Sequence, residues 1–436
     1  MAQALETDMV KKFAEDFAAD RTARIVQNAV TQTSITKVAQ DRDVINAIDP
    51  SMSVKVDTWK VNNQKKSGRC WLFSGLSSLK MLVNRATGLK NFEFSQSFQH
   101  FYDKLEKANY FLTSMIELAD RPVDDRTVHY LLSDPIGDGG QWNMFVALVE
   151  KYGACPKFAM PETESSSNTQ LMNRTLEMLL RRAAHDIREA EAGQREAVRE
   201  KFMGQVYRVL AIHLGTPPES FVWQYEDEEG NFHREGKMTP VEFAQKYLPD
   251  LDQYVCIVND PRNEYGKLYT VDRLGNVVGA KPVTYLNVPI EVIREATIAT
   301  LKDGQPVWMG CDTGKQSDRE RGIWDGQLYD YEGTYGIDLA LSKADELYYG
   351  EAMMTHAMVF TGVDLREDGS PRRWRIENSW GDEHADKGFW TMNDSWFDQH
   401  VFEVAVTKDR LSAELLAALE TEPEVLPAWD PMGSLA

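Results

Sequence analysis

Four residues whose types together perform thiol chemistry stand at two places in the sequence. Cys70 lies in the stretch NQKKSGRCWLFSG, six residues after Gln64. His356 begins the apolar stretch HAMVFTGVD, and Asn378 follows 22 residues later in ENSWG. A thiolate attacks a carbonyl carbon, an imidazole moves the proton, and an amide oxygen orients the imidazole ring. The four residues therefore predict acyl transfer through a cysteine nucleophile.

Each of these side chains has a predicted role. Cys70 is the nucleophile, and His356 is the general acid and base. Asn378 fixes the tautomer and orientation of His356, and Trp380 covers that hydrogen bond from water. Gln64 and the backbone N–H of Cys70 together hold the oxyanion that forms when the carbonyl is attacked.

The residues after Cys70 predict a helix. One face carries Leu72, Leu76, Leu79 and Val83, and Gly88 follows its end. Cys70 then lies in the first turn, where exposed N–H groups and the helix dipole favour a thiolate. A buried apolar cysteine is the alternative for that position alone. The accompanying glutamine, histidine and asparagine favour the nucleophile.

The remaining pattern predicts an α+β fold with a helical N-terminal half and a C-terminal antiparallel sheet or partly open barrel. Two long amphipathic helices are expected between residues 165 and 215, the first with Leu171, Thr175, Leu179 and Ala183 on its apolar face. Residues 221–238 predict a hairpin. Residues 305–312, 356–364 and 372–380 predict strands.

These patterns divide the chain into four segments. Residues 1–160 form an N-terminal arm and the helical half that carries the nucleophile, and residues 161–281 form a helical and hairpin insertion. Residues 282–420 form the strand-rich catalytic half. Residues 421–436 form an extended arm, because Pro423, Pro427 and Pro431 forbid a regular helix there.

Composition and charge exclude or disfavour several classes of function. The chain of 436 residues has 48 Lys and Arg against 68 Asp and Glu, and this net charge of −20 disfavours nucleic-acid binding except through a local basic patch. The four cysteines form no CxxC pair, which argues against disulfides and zinc and favours the reducing cytoplasm. His100, His129 and His384 lack metal-ligand spacing, so neither a metal nor another cofactor is predicted. No membrane segment or signal peptide is expected, since Leu5, Met9, Phe13 and Phe17 follow helical spacing.

The stretches NQKKSGRCWLFSG, THAMVFTGV and NSWG together resemble the papain-like cysteine peptidases. The length, the helical insertion and the ending LPAWDPMGSLA resemble the bleomycin hydrolase branch, the bacterial aminopeptidase C type. Two features depart from the wider papain pattern: Arg69 precedes the cysteine, and 285 residues separate Cys70 from His356. Both departures are similar to the bleomycin hydrolase branch, whose insertion lies between the two residues.

This resemblance implies a cytosolic cysteine aminopeptidase that acts on peptides, and on bleomycin-like amides, as a homohexamer. It implies that Gly139 and Gly140 offer a backbone edge to the substrate, although a simple loop is the alternative. It also places the C-terminal arm in the active-site cleft, with the Ala436 carboxylate attracting the free α-amino group. The alternatives are an endopeptidase with an open cleft and a non-catalytic or nucleic-acid-binding protein on the same fold.

Overall fold

Helices precede most of the strands in the computed structural model, which describes residues 4–57, 60–89 and 92–434. An N-terminal arm, a first catalytic half, an insertion and the C-terminal half each contribute helices. They are α1 (Thr7–Ala19), α2 (Arg21–Val30), α3 (Ile35–Ala39), α4 (Arg42–Ala47), α5 (Cys70–Thr87), α6 (Gln96–Glu117), α7 (Arg126–Ser133), α8 (Trp142–Tyr152), α9 (Glu164–Ser167), α10 (Gln170–Glu189), α11 (Arg195–Leu214), α12 (Pro240–Tyr247), α13 (Ile290–Lys302), α14 (Tyr331–Tyr335), α15 (Lys343–Tyr349), α16 (Asp394–His400) and α17 (Ala413–Ala418).

Most strands lie in the C-terminal half. They are β1 (Val54–Lys55), β2 (Phe221–Glu226), β3 (Phe232–Met238), β4 (Tyr254–Val258), β5 (Leu268–Val271), β6 (Tyr285–Asn287), β7 (Val307–Cys311), β8 (Ser317–Asp318), β9 (Ile323–Trp324), β10 (His356–Leu365), β11 (Pro371–Glu377), β12 (Phe389–Asn393), β13 (Val401–Thr407) and β14 (Glu424–Leu426). The expected α+β class, with a helical first half and a largely antiparallel C-terminal sheet, is confirmed.

Twelve strands of the described chain form one sheet, in the order β14-β5-β6-β4-β13-β7-β10-β11-β12-β9-β8, with β1 beside β10. Strand β10 lies between β7 and β11 and pairs antiparallel with both. Strands β4 and β5 belong to this sheet although they fall within residues 161–281, the segment predicted as the insertion. The strand-rich part of the chain therefore begins before residue 282.

Helix α5 begins at Cys70 and ends before Gly88, as predicted. Gly88 has a φ of 68°, the left-handed conformation that ends helices and that glycine adopts without strain. The four residues predicted for its apolar face, Leu72, Leu76, Leu79 and Val83, are all buried. The helix packs on β10, where the Ser74 hydroxyl donates to the carbonyl of Ala357 at 2.9 Å.

The insertion contains both predicted helices, α10 and α11, and the predicted hairpin β2–β3. The predicted apolar face of α10 is wrong by one residue. Leu171 is 71% exposed, whereas the buried face consists of Met172, Leu176, Leu180, Ala183, Ala184 and Ile187. Leucines occur on both sides of this helix, so hydrophobic spacing alone selects the face poorly.

The N-terminal helix α1 has no buried side chain along its length. Its predicted apolar face is exposed: Leu5, which precedes the helix, and Met9, Phe13 and Phe17 within it are between 40% and 66% exposed. Among the described helices, none combines the length and hydropathy that a membrane span needs.

Candidate functional site

The histidine of the site is the first residue of β10, and the asparagine follows the last residue of the neighbouring strand β11. Antiparallel pairing of the two strands brings them together, and His356 Nε2 lies 2.9 Å from Asn378 Oδ1. An amide oxygen only accepts, so Nε2 carries the proton and donates it in this hydrogen bond. The other ring nitrogen, Nδ1, is then free to accept a proton.

Trp380 lies against this pair. Its ring centroid is 4.9 Å from that of His356, and the two rings are inclined by 33°. Trp380 also packs edge-on against Trp390. The guanidinium carbon of Arg319 lies over the Trp380 ring, 4.5 Å from its centroid. The shielding of the hydrogen bond between His356 and Asn378 by Trp380 stays a prediction.

Cys70 is buried at the first residue of α5 and lies beside the start of β10. Backbone amides of Ala357, Trp71 and Cys70 itself point to the sulfur, and Ala357 is the residue after His356. Burial raises the pKa of the Cys70 thiol to about 11, although these amides favour the thiolate. Helix position therefore does not by itself produce a resting thiolate in this site.

Burial acts on the histidine in the opposite sense. It lowers the pKa of His356 to about 4, even though the hydrogen bond to Asn378 favours the charged ring. Burial therefore favours the uncharged thiol and the uncharged imidazole over the charged forms. Such a pair suits proton transfer from sulfur to His356 as the thiol attacks, because the base is unprotonated when the substrate arrives.

Gln64 is held between the loop that precedes Cys70 and the residue after Asn378. The Ser379 hydroxyl donates to Gln64 Oε1 at 2.5 Å, and Gln64 Nε2 donates to the carbonyl of Ser67 at 2.5 Å. A second N–H remains on Nε2, since a side-chain amide has two. The structure therefore gathers all four predicted residues around the start of α5 and the starts and ends of β10 and β11.

Gly139 and Gly140 lie in the loop before α8, and Gly140 packs against Trp71, the residue that follows the cysteine. A Cβ atom at Gly140 would approach the Trp71 ring to 2.5 Å, so only glycine fits there. Lys107 donates to the carbonyls of Gly137 and Gly139, at 3.1 and 2.5 Å. These contacts explain Gly140 structurally, and the substrate-binding role of both glycines stays a prediction.

The C-terminal arm is fixed to the body of the protein. Strand β14 pairs parallel with β5, and a single 3-10 turn, Pro431–Gly433, is its one helical feature among the described residues. Arg262 forms ion pairs with Asp260 and with Asp430 of the arm, at 2.7 and 2.8 Å. Met432 is buried. The described part of the arm is thus held to the body of the protein at several points between Glu424 and Ser434.

The last described residue of the arm reaches the two loops beside the site. Gln141 Nε2 donates to the carbonyl of Ser434 at 2.5 Å, and the Ser434 hydroxyl donates to the carbonyl of Met354 at 2.9 Å. Gln141 follows the paired glycines, and Met354 lies two residues before His356. Ala436, whose carboxylate was predicted to bind the substrate amine, lies outside the described residues.

The sequence did not reveal a group of buried charges behind the loop that carries Gln64. Arg69, whose side chain is fully buried, makes two hydrogen bonds to Glu162, at 2.7 and 3.1 Å. Lys104 pairs with Asp138 at 2.7 Å. The aspartate directly before the paired glycines was visible in the motif DGG, but its partners come from distant segments.

Within the described residues, no group of three or more His, Cys, Asp or Glu side chains is placed to hold a metal ion.

The chain is similar to known proteins over most of its length. Residues 4–433 match the model of the Peptidase C1-like family. The chain is 42% identical over 440 residues to Aminopeptidase C of Streptococcus thermophilus, which covers 99% of both chains. It is 42% identical over 391 residues to bleomycin hydrolase of Homo sapiens, and this match covers 86% of each of the two chains. The crystal structure of pepw from Lactobacillus rhamnosis HN001 superposes with a TM-score of 0.97 at 41% identity and covers 100% of both chains.

Proposed function

The chain belongs to the Peptidase C1-like family and is a papain-like cysteine aminopeptidase, and from this premise we propose that Cys70 is its nucleophile and His356 its general base. The single observation that carries the proposal is the hydrogen bond between His356 and Asn378 beside the first turn of α5. It fixes the ring with Nδ1 unprotonated, on a strand whose next residue contacts the Cys70 sulfur.

The proposed reaction proceeds through an acyl-enzyme. Cys70 passes its proton to Nδ1 of His356 while the sulfur attacks the scissile carbonyl. The resulting oxyanion is held by the backbone N–H of Cys70 and the free N–H of Gln64. His356 then protonates the leaving amine, and the thioester remains on Cys70. A water molecule, deprotonated by His356, releases the acyl group and restores the thiol.

We propose that the C-terminal arm limits this chemistry to the first residue of a peptide. The arm is held at Ser434 between Gln141 and Met354, directly beside the predicted peptide-binding edge at Gly139 and Gly140. A longer substrate segment upstream of the cleaved bond would meet it. The carboxylate proposed for Ala436 would in addition attract a free α-amino group, which is positively charged at neutral pH. An open-cleft endopeptidase would lack such an obstruction.

Deletion of residues 427–436 tests the role of the arm. We expect kcat/KM for free aminoacyl amides to fall on the order of 10-fold to 100-fold, since a charge-assisted contact is lost. N-acetylated aminoacyl amides should become substrates, because the obstruction is gone. Both substrate series are measured with fluorogenic leaving groups, before and after alkylation of the thiol. Val425→Ser, which changes an exposed side chain of β14, is the matched control and should preserve the preference for free amines. Refusal of N-acetylated substrates by the shortened chain would make the arm structural only.

We further propose that the enzyme acts in the cytoplasm and assembles as a homohexamer. All four cysteines are free, as thiols remain in a reducing compartment. Phe13 and Phe17 of α1 are exposed together with Leu5 and Met9, which is unusual for a monomer surface and typical of an interface.

Sedimentation velocity tests the assembly. The unmodified chain is expected to sediment as a hexamer, and the double variant Phe13→Ser, Phe17→Ser as smaller species, since the exposed apolar face of α1 is removed. Substitution of Val123, an exposed valine away from α1, by serine is the control. A monomeric unmodified chain at micromolar concentration contradicts the proposal.

A further inference from the structure

Asp138, the residue before the paired glycines, is the meeting point of three segments. Its Oδ2 accepts from the backbone N–H of Gly68 at 3.0 Å and from the Thr169 hydroxyl at 2.5 Å. Its Oδ1 accepts from Asn173 Nδ2 at 2.8 Å and from Lys104 Nζ at 2.7 Å. Gly68 belongs to the loop that carries Gln64, Lys104 to α6, and the other two residues to the insertion. One carboxylate therefore joins the catalytic loop, the N-terminal half and the insertion.

The contact with the catalytic loop is close on both sides of the cysteine. A Cβ atom at Gly68 would lie 2.9 Å from Asp138 Cβ, so the aspartate touches the loop backbone itself. The main-chain carbonyl of Asp138 also accepts from the indole of Trp71 at 2.7 Å. Asp138 thus contacts the residue two before the nucleophile and the residue directly after it.

The insertion holds the same loop at two further points. Lys66 exchanges backbone hydrogen bonds with Ser167 and Thr169, at 3.0 and 3.3 Å. Arg69 forms its buried ion pair with Glu162. Residues 162–173 therefore run alongside the loop of residues 64–70. The side chain of Asp138 forms hydrogen bonds with both segments.

The charge of Asp138 strengthens these hydrogen bonds. Burial alone would raise its pKa, but the Lys104 ammonium and the adjacent His100 hold the pKa well below its usual range. The side chain of Asp138 is 9% exposed and that of Lys104 is fully buried. An ionised acceptor in such surroundings binds N–H and O–H donors about twice as strongly as a neutral one.

We propose that Asp138 is a positioning residue through which the helical insertion holds the oxyanion-binding loop, residues 64–70, in its active conformation. The inference rests on the proposed function, because it concerns the oxyanion site formed by Gln64 and the Cys70 amide. It assigns the insertion a part in catalysis: the insertion fixes the position of the two donors that bind the transition state.

Two reactions of the same cysteine separate this role from a general loss of structure. Peptide hydrolysis needs the oxyanion site, whereas alkylation by iodoacetamide needs the sulfur and its neighbouring base but no oxyanion site. In Asp138→Asn we expect kcat to fall on the order of 10-fold to 100-fold, less than the loss expected for a deleted oxyanion donor, with KM within about 3-fold. The alkylation rate constant of Cys70 should stay within about 3-fold of the unmodified enzyme. Burial is the largest cause of the raised pKa of Cys70, and the negative charge of Asp138 raises that pKa further. Because removal of this charge favours the thiolate, it does not slow alkylation.

Further variants keep the test decisive. Asp134→Asn makes the same change at an exposed position of the same loop and should leave both reactions unchanged. If Asp138→Asn unfolds, Thr169→Val removes one hydrogen bond and keeps the charge, and should give a smaller loss with the same division between hydrolysis and alkylation. An equal fall in both reactions, or unchanged hydrolysis in folded Asp138→Asn and Thr169→Val, overturns the inference. Gln64→Ala reports on the proposed function separately: full activity there would refute the oxyanion site itself, whereas a large loss there beside an unaffected Asp138→Asn would refute only the inference.

Discussion

Replacement of Cys70 by alanine is expected to abolish peptide hydrolysis while the fold survives. The proposed acyl-enzyme cannot form without the sulfur, so kcat should fall on the order of 10⁴-fold or more. The cavity left by one sulfur atom in the first turn of α5 is small, and unfolding should remain cooperative. Turnover of fluorogenic aminoacyl amides and thermal unfolding by circular dichroism measure the two properties.

Cys155→Ala is the matched control for this experiment. Cys155 is also buried, but it lies away from β10 and β11, and burial raises its pKa to about 12. Its replacement should leave kcat unchanged. Alkylation near neutral pH, mapped by mass spectrometry, should modify Cys70 before Cys155, Cys256 and Cys311. Hydrolysis that persists in folded Cys70→Ala would refute the mechanism.

His356→Ala should be nearly as damaging as loss of the thiol. Because burial disfavours the thiolate, the cysteine needs a neighbouring base to become a nucleophile, and loss of a general base costs on the order of 10² to 10⁴-fold. The same histidine serves both halves of the reaction, which places the expected loss at the upper end of that range. Steady-state and single-turnover kinetics on aminoacyl amides measure the effect.

Asn378→Ala provides the graded comparison. It leaves the base in place and removes only the acceptor that orients it, so the rate should fall less than in His356→Ala. Near-full activity of His356→Ala would show that another base operates, and His100 would be tested next. The structure places His100 Nε2 3.7 Å from Asp138 Oδ1.

Much of the site was predictable because its chemistry is carried by local signals. The helix after Cys70 has a clear apolar face and a glycine at its end, and the strand after His356 is continuously apolar. Each signal lies within about twenty residues. The hairpin β2–β3 was visible for the same reason.

The features that could not be predicted from the sequence depend on contacts between distant segments. Nothing near Asp138 indicates that Lys104, Thr169 and Gly68 surround it, because those contacts arise only when α6, the insertion and the catalytic loop pack together. The apolar face of α10 was misjudged since tertiary packing, rather than helical spacing, decides which leucines are buried. The raised pKa of Cys70 is likewise a result of burial.

The arrangement of β10 between β7 and β11 has a consequence for synthesis on the ribosome. The proposed nucleophile is translated early, whereas its proposed base lies on a strand that pairs with residues 307–311 and 371–377. A nascent chain that ends before Asn378 carries Cys70 without an oriented partner, and by the preceding reasoning it has no efficient nucleophile. Bringing Cys70 and His356 together across the long intervening chain costs little more free energy than closing a shorter loop would, because the entropy cost of loop closure grows only logarithmically with loop length. On the proposed mechanism, the order of the chain therefore delays peptide hydrolysis until the chain has been translated past Asn378.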